Sequence, residues 1–514
     1  MFRGLDNFFM SEKLPTFINN HLVSIFASVF VLRVAYLFVN GLDLIGDESY
    51  YWDWSRRLDW CYYSKPPMVA WLIAIATEIG GDYTAVVRFP SVVFGTVFLG
   101  YFYAAAREIY SERAAALALL LMLAMPFNVL ANLLMTIDPP LYCFWMMSLY
   151  YLQRALFGGQ QSAWFWAGLT AGAALLSKQI AVLIPLMLIV FLLLNKQRHG
   201  SFKRDFLVFL LPVILCLVPL LIWNQQHEWV MFGHSQGHFE IKGAVGLLAR
   251  LEQGVVFLLF QLLLATPVIF VLVLILSIQS SFGITRLSEK EQFLVLMGPM
   301  LLVGISVFGF MQKAQGNWPI PFYFSALILL SGQWLTASWK KQIKTGLLIG
   351  YLMVSLTYTL PILIQAFNLQ NTKIDPTYRF RHIHNFVQEI DEQRQLLLAE
   401  PENAIIIILG HRYLASQLAF YLPDHPSVYK YDNTGRITSQ YELWPGPTDS
   451  IGKTALIVSE KEEFDVPAEL KSVFVSFRKV GEVFNPTKEH ARYHLFLGET
   501  LKYWPPLQQK EKQE

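Results

Sequence analysis

A series of apolar runs, most of them about 20 residues long, constrains the fold of this chain more than any other feature of its sequence. A helix of about 20 apolar residues crosses a bilayer. Charged residues make up only 15% of the chain, whereas soluble proteins carry about 25%. We therefore predict a mostly α, polytopic helical membrane protein with about eleven spans. The predicted spans lie near residues 21–42, 87–107, 114–132, 138–157, 163–177, 180–195, 206–223, 254–280, 293–310, 318–337 and 345–366.

The end of the chain has a different character, because its composition becomes that of an ordinary polar, soluble sequence. We predict two domains, a transmembrane domain over residues 1–366 and a small C-terminal α/β soluble domain over residues 367–514. Residues 380–398 have a helical or loop pattern. Short runs rich in β-branched and aromatic residues predict strands at 404–409, 455–458, 473–477 and 493–497.

The basic residues predict the orientation of the chain. Lysines and arginines concentrate in the alternate short loops that share the side of the N-terminus, and such loops stay in the cytoplasm. The opposite side then carries the acidic loop 43–86, the histidine-containing loop 224–250 and the tail 367–514. We therefore predict a multi-pass protein of the cell inner membrane whose active site and C-terminal domain are periplasmic.

Charge and cysteine content exclude several other classes. The formal net charge is only +2, which argues against a nucleic-acid partner and leaves membrane lipids as the expected surroundings. The three cysteines, Cys61, Cys143 and Cys216, provide neither a disulfide framework nor the spacing of a cysteine metal site.

The most unusual stretch is the sequence GDESYYW at residues 46–52, which lies in the first long loop between two apolar runs. Ionisable groups at a membrane boundary usually mark a functional site. Either carboxylate here could act as a general base or bind a divalent ion. Adjacent helical residues point about 100° apart, so we assign catalysis to Asp47 and support to Glu48. The alternative for Asp47 is a helix N-cap, a role compatible with catalysis.

Several cations on the same predicted side could bind a phosphate. Lys65 precedes Pro66, which restricts it to an extended backbone, and a lysine at headgroup depth suits a phosphate. The alternative is ordinary snorkelling of an interfacial lysine. Lys178 and Arg250 are further candidates for the donor phosphate.

Two further positions are weaker candidates. Asp138, before two prolines at a helix start, is either a second acidic catalytic group or an N-cap. His234 and His238 are four residues apart, a spacing that suits two ligands of a metal ion on one helix. Because Gly233 and Gly237 weaken that helix, a hydrogen-bonding pair is the favoured reading and metal the alternative.

Together these motifs resemble the GT-C glycosyltransferases, in particular the protein O-mannosyltransferase-like and aminoarabinose-transferase-like proteins and their galacturonosyl-transferase-like bacterial branch. The resemblance covers residues 20–366 well and the tail more weakly. Its main motifs are GDExYY at 46–51 and YYxKPP at 62–67, and the supporting matches are RFP at 88–90, TIDPPL at 136–141, LSK at 176–178, WN at 223–224 and NWP at 317–319.

The resemblance implies an inverting transferase that moves a sugar from a polyprenyl-phosphate donor to a lipid, glycan or protein acceptor. It implies catalytic roles for Asp47 and Asp138 and a phosphate-binding role for Lys65. The aminoarabinose-transferase branch commonly has a glutamate, linked to metal coordination, where this chain has Ser64. No metal is then required, and a divalent ion remains the alternative. Interfacial aromatics would hold the lipid and sugar, for which we select Tyr50, Tyr63 and Trp318.

The competing class is a transporter or flippase of lipid-linked sugars. Transporters tend to have internal repeats, broken helices and ion sites near the middle of the bilayer. In this sequence the acidic groups cluster at one face and no repeat is visible. We therefore favour the transferase.

The predicted orientation can be tested with a reporter protein that is active only after export from the cytoplasm. The reporter is fused after Glu514. We expect it to be active, because the basic loops place residues 367–514 outside the cytoplasm. The same reporter fused within the basic loop near residue 200 is the matched control and should be inactive. Activity of the second fusion alone would reverse the topology.

Overall fold

The computed structural model describes most of the chain. The described residues are 13–196, 202–237, 246–334, 339–370, 372, 375, 377–462, 465–485 and 491–505.

Helices form nearly all of the described chain up to residue 366. Their bounds are Lys13–Asn20, Leu22–Val39, Gly46–Ser55, Met68–Gly80, Thr84–Ile109, Glu112–Leu123, Pro126–Leu130, Asp138–Gly158, Gln161–Ser177, Leu183–Leu194, Phe202–Gln226, Val230–Gly237, Leu247–Leu264, Pro267–Phe282, Glu289–Met297, Pro299–Met311, Ile320–Trp334 and Lys340–Ala366. Within the described residues, six helical segments are long and apolar enough to cross a membrane, and four shorter apolar helices accompany them. The predicted fold class, a helical membrane protein, is confirmed.

Three predicted spans are interrupted in the structure. The predicted span 254–280 is replaced by two helices that meet at Thr266, whose φ is 65°, just before Pro267. The predicted span 293–310 is divided at Gly298, and the predicted span 114–132 stops before Pro126. A proline follows each break, and it cannot donate the backbone hydrogen bond that would continue the helix.

The chain divides into two compact units. The helical unit comprises Met1–Leu37, Arg88–Gln226 and Ser235–Leu360, and the mixed unit comprises Phe38–Val87, His227–His234 and Pro361–Glu514. The first long loop thus folds together with the tail. The domain boundary that we placed between residues 366 and 367 stays a prediction.

Close helix packing in the helical unit relies on small residues. A Cβ on Gly168 would lie 2.0 Å from the backbone oxygen of Phe209, and a Cβ on Gly172 would lie 2.7 Å from the sulfur of Cys216. The helices Gln161–Ser177 and Phe202–Gln226 therefore approach at backbone contact. Small residues commonly permit this between membrane helices, where lipid provides no hydrophobic drive for association.

The tail contains five strands, which are β1 (Ile405–Leu409), β2 (Val428–Lys430), β3 (Ala455–Ser459), β4 (Phe474–Asn485) and β5 (Ala491–Leu501). They form one sheet in the order β2-β1-β3-β5-β4. Strand β1 pairs in parallel with β2 and β3, and β5 runs antiparallel to β3 and β4. All residues of β1 and β3 are buried, which explains their continuous apolar sequences. The small α/β fold of the tail is confirmed, and its two longer helices are Ile383–Leu397 and Arg412–Tyr421.

Candidate active site

The acidic loop of the mixed unit forms a short helix, Gly46–Ser55. Ile45 is the residue at the N-cap, and the carboxylate of Glu48 accepts a hydrogen bond from the Ile45 backbone N–H at 3.0 Å. Glu48 is completely buried. Its carboxylate therefore satisfies a backbone donor at the helix start, and the role of Glu48 in the reaction stays a prediction. Asp47 is not the N-cap.

Asp47 is half-buried and makes a specific contact with the tail. The hydroxyl of Tyr413, in the helix Arg412–Tyr421, donates a hydrogen bond to Asp47 Oδ1 at 2.7 Å. Gly46 makes room for this contact, because a Cβ there would lie only 2.3 Å from Cγ of the Tyr413 ring. The glycine of the sequence motif therefore has a steric role, which is to let Tyr413 lie against the helix start and reach the carboxylate.

The surroundings of Asp47 supply a hydrogen-bond donor and a positive charge. Burial, followed by the neighbouring Asp47 carboxylate, raises the pKa of the Tyr413 hydroxyl to about 12, so this hydroxyl remains a donor at neutral pH. The guanidinium carbon of Arg412 lies 5.2 Å from the Tyr413 ring and 5.3 Å from the Tyr50 ring. Arg412 also attracts Asp47 electrostatically. Its buried Nε has no hydrogen-bond partner among the described residues.

Lys65 follows in a tight turn of the same unit. Its carbonyl accepts a hydrogen bond from the Tyr62 N–H at 3.1 Å, and its side chain is half-buried. The Tyr62 ring stacks on Trp54 of the acidic helix, with centroids 4.5 Å apart and planes 8° from parallel. This stacking fixes the lysine turn to the helix that carries Asp47, so the turn and the carboxylate are held in one rigid segment.

The aromatic candidates of the mixed unit also contact the tail. The Tyr50 hydroxyl accepts a hydrogen bond from the Gln440 N–H at 2.6 Å, and the Tyr63 N–H donates to the side-chain oxygen of Gln440 at 2.7 Å. Tyr50 is only 1% exposed. Its ring is therefore part of the packing beneath the site. The substrate-binding roles of Tyr50 and Tyr63 stay predictions.

His234 lies beside Tyr63. Its Nδ1 is 3.2 Å from the Tyr63 hydroxyl, and the two ring centroids are 4.8 Å apart. His238 lies outside the described residues. Within the described part of the chain, no three histidine, cysteine or acidic side chains are grouped so that they could hold a metal ion. The metal role of the histidine pair remains untested.

A second polar cluster lies within the helical unit. Asp138 is the first residue of the helix Asp138–Gly158, with Ile137 at the N-cap. Lys178 Nζ is 2.8 Å from Asp138 Oδ1, and the amide of Asn317 donates to Asp138 Oδ2 at 2.7 Å. The Asp138 and Lys178 side chains are each 11% exposed. Lys178 thus neutralises a carboxylate, and it would act on a phosphate only as part of this pair.

The remaining candidates also belong to the helical unit. Arg250 lies in the first turn of the helix Leu247–Leu264 and is half-buried. No described residue accepts a hydrogen bond from its buried Nε. Trp318 is half-buried and stacks on Phe308 at 6.5 Å between centroids. An arginine with an unused buried donor suits an anionic ligand, whereas Trp318 is held by packing.

Sequence reasoning missed three residues of these clusters, Arg412, Tyr413 and Gln440. They lie in the tail, which we treated as a separate domain, and no local pattern relates them to the loop at residues 46–67. The one local signal was Gly46, since a glycine at a helix start permits close approach by another segment. The partner of Asp138, Asn317, lay within a motif already noted in the sequence.

Comparison with known proteins relates this architecture to lipid-linked sugar transferases. Residues 64–223 match the family described as dolichyl-phosphate-mannose-protein mannosyltransferase. The lipid A galacturonosyltransferase RgtD of Rhizobium johnstonii is 27% identical over 327 residues, which cover 62% of this chain and 66% of that protein. The match thus spans just under two thirds of the relative.

Solved structures agree with the sequence comparison. ArnT from Cupriavidus metallidurans, crystallised with undecaprenyl phosphate, superposes with a TM-score of 0.64 at 16% identity, covering 93% of this chain and 98% of that one. Its apo form gives a TM-score of 0.63 at 15% identity.

The solved structures identify the fold of the protein. The chain has the fold of the GT-C glycosyltransferases, and the resemblance seen in its sequence is confirmed. The sequence similarities are to the dolichyl-phosphate-mannose-protein mannosyltransferase family and to a lipid A galacturonosyltransferase.

The contact between Tyr413 and Asp47 predicts that a residue of the tail controls transfer. Tyr413→Phe removes a hydrogen bond to a charged group, which contributes about 1.5–3 kcal/mol, so we expect turnover to fall roughly ten- to hundredfold with little change in donor affinity. Gly46→Ala should have a similar effect, because its Cβ would displace the Tyr413 ring. Turnover and donor binding should be measured on the same purified variants.

The matched control is Tyr503→Phe, which removes the hydroxyl of an exposed tyrosine elsewhere in the tail. It should behave like the wild type. Equal turnover in Tyr413→Phe and the wild type would show that the hydrogen bond is only structural.

Proposed function

We propose that this protein is an inverting glycosyltransferase that moves a sugar from a polyprenyl-phosphate donor to an envelope acceptor at the outer face of the inner membrane. One observation carries the proposal: the Asp47 carboxylate, at the start of a short helix that follows the first membrane span, is oriented by Tyr413. The relatives support it, because they are named as a lipid A galacturonosyltransferase and as a protein that binds undecaprenyl phosphate.

The chemistry requires one base and a stabilised leaving group. Asp47 removes the proton from the acceptor hydroxyl as the acceptor oxygen attacks the anomeric carbon. The bond between that carbon and the phosphate oxygen breaks on the opposite face, and the polyprenyl phosphate departs with the bonding electrons. A single displacement inverts the anomeric configuration. Tyr413 fixes the orientation of Asp47 but does not itself touch the reacting atoms.

Cations stabilise the charge that builds on the departing phosphate. Lys65 is assigned this role because its turn is fixed to the helix of Asp47 by the stacking of Tyr62 on Trp54. Arg250 is assigned to the donor phosphate because it has an unused buried donor. Lys178 contributes through its ion pair with Asp138. The proposed reaction therefore needs no metal ion, although one could be bound without contradicting it.

The acceptor and location follow from the relatives and the charge pattern. Lipid A is the acceptor named for the Rhizobium relative, and we propose that this protein also uses a lipid acceptor of that kind. The transferred sugar is a hexosyl or pentosyl group, and the transfer takes place in the periplasm. Glycan or protein acceptors are the alternatives. Comparing envelope lipids by mass spectrometry with and without the chain identifies both the sugar and the acceptor.

The central variant is Asp47→Asn. It keeps the size of the side chain and an oxygen that can accept from Tyr413, but it cannot take a proton. Loss of a general base typically lowers the rate about 10²–10⁴-fold, so we expect transfer to collapse while folding and donor binding persist. Glu48→Gln is the matched control, because its amide oxygen can still accept from Ile45.

Lys65→Ala separates phosphate binding from proton transfer in the same assay. It should weaken donor binding about ten- to hundredfold, because charged hydrogen bonds contribute about 1.5–3 kcal/mol.

Wild-type transfer by Asp47→Asn would contradict the base assignment. A purified protein that moves lipid-linked sugars between leaflets but transfers none would be a flippase instead.

A further inference from the structure

The tail contains a cavity that the proposed reaction does not use. It has a volume of about 370 Å³ and opens beside the carboxyl end of β2, the edge strand of the sheet. Small-molecule pockets typically measure roughly 300–1,000 Å³ and combine aromatic walls with a few polar groups. In α/β sheets, ligands bind outside the carboxyl ends of the strands. The size and position of the cavity are therefore those of a ligand site.

Aromatic side chains form much of the cavity wall. Tyr429 and Tyr431 contact Trp504, with ring centroids 6.5 Å and 5.9 Å away, and Trp444 also lines the cavity. Gly446 permits this arrangement, because a Cβ there would lie 2.2 Å from Cδ1 of Trp504. The electron-rich faces of aromatic rings attract polarised C–H groups, and a sugar ring presents several of these on one face.

The polar groups of the cavity supply hydrogen-bond acceptors and a negative charge. Glu469 accepts a hydrogen bond from the Tyr431 hydroxyl at 2.9 Å. Lys430 is paired with Asp432 at 3.3 Å and also with Glu442. The residues that line the cavity thus carry three carboxylates and one ammonium group. Carboxylates accept hydrogen bonds from hydroxyl or amine groups, whereas their excess charge repels uronates and phosphates.

We propose that this cavity binds a saccharide that is neutral or carries amines, as a glycan-binding site in addition to the transfer site. The aromatic wall would stack on the sugar face, and the carboxylates would accept hydrogen bonds from its hydroxyl or amine groups. The inference goes beyond the proposed function, because it gives the tail a binding role that does not depend on turnover.

Binding can be measured by saturation-transfer-difference NMR on the full-length protein in nanodiscs. The probes are an N-acetylglucosamine trimer, a glucosamine trimer and a galacturonic acid trimer, which are neutral, cationic and anionic. We expect the first two to bind and the third to bind at least tenfold more weakly. Trp504→Ala should reduce binding of the first two by about tenfold or more, because it removes an aromatic stacking face.

Two further variants protect this test from a folding artefact. Glu469→Gln keeps the shape of the cavity but removes a negative charge. It should weaken binding of the cationic probe and strengthen binding of the anionic probe. Phe484→Ala removes an exposed aromatic from β4, at the opposite edge of the sheet, and should leave all three probes unaffected. The Asp47→Asn variant should also bind the probes as the wild type does. Failure of the transferase proposal would therefore leave the proposed glycan-binding site unaffected. Tightest binding of the anionic probe, or unchanged binding in both Trp504→Ala and Glu469→Gln, would overturn the inference.

Discussion

The proposed active site depends on one hydrogen bond, from the Tyr413 hydroxyl to the Asp47 carboxylate at 2.7 Å, between residues 366 positions apart in the sequence. A charged hydrogen bond of this kind is stronger than a neutral one and fixes direction as well as distance. It forms only because Gly46 has no side chain where the Tyr413 ring lies. A half-buried carboxylate at the start of a short helix would otherwise sample several rotamers, whereas a general base must remain directed at its proton.

The surrounding mixed unit gives this contact its rigidity. Asp43 accepts a hydrogen bond from the Ile383 N–H at 2.8 Å, at the start of a tail helix. Arg381, only 4% exposed, donates to the Pro361 carbonyl at 2.7 Å and to the Gly41 carbonyl at 3.3 Å. Buried polar groups are costly unless they are satisfied, so these bonds hold the loop and the tail together. The tail therefore holds the segment that carries Asp47 in place. This structural role is independent of any ligand that the tail binds.

Sequence periodicity and the cost of burying polar groups were enough to predict the helical membrane fold and four of the five strands of the tail sheet. They could not decide which prolines break helices: Pro267 and Pro299 begin new helices, whereas Pro90 and Pro361 lie inside long ones. That choice depends on which neighbours satisfy the freed backbone groups. The partners of Asp47 and Asp138 were unpredictable for the same reason, because Tyr413 and Lys178 approach them only through tertiary packing.

The central claim is that Asp47 acts as a base in a single displacement, and the anomeric configuration of the product tests it most directly. A donor of defined configuration should be supplied to the purified protein and the glycosidic linkage of the product assigned by NMR. The account predicts complete inversion and no covalent adduct on the protein. Retention of configuration, with a glycosyl group found on Asp47 by mass spectrometry, would show that the carboxylate is a nucleophile and would contradict the account.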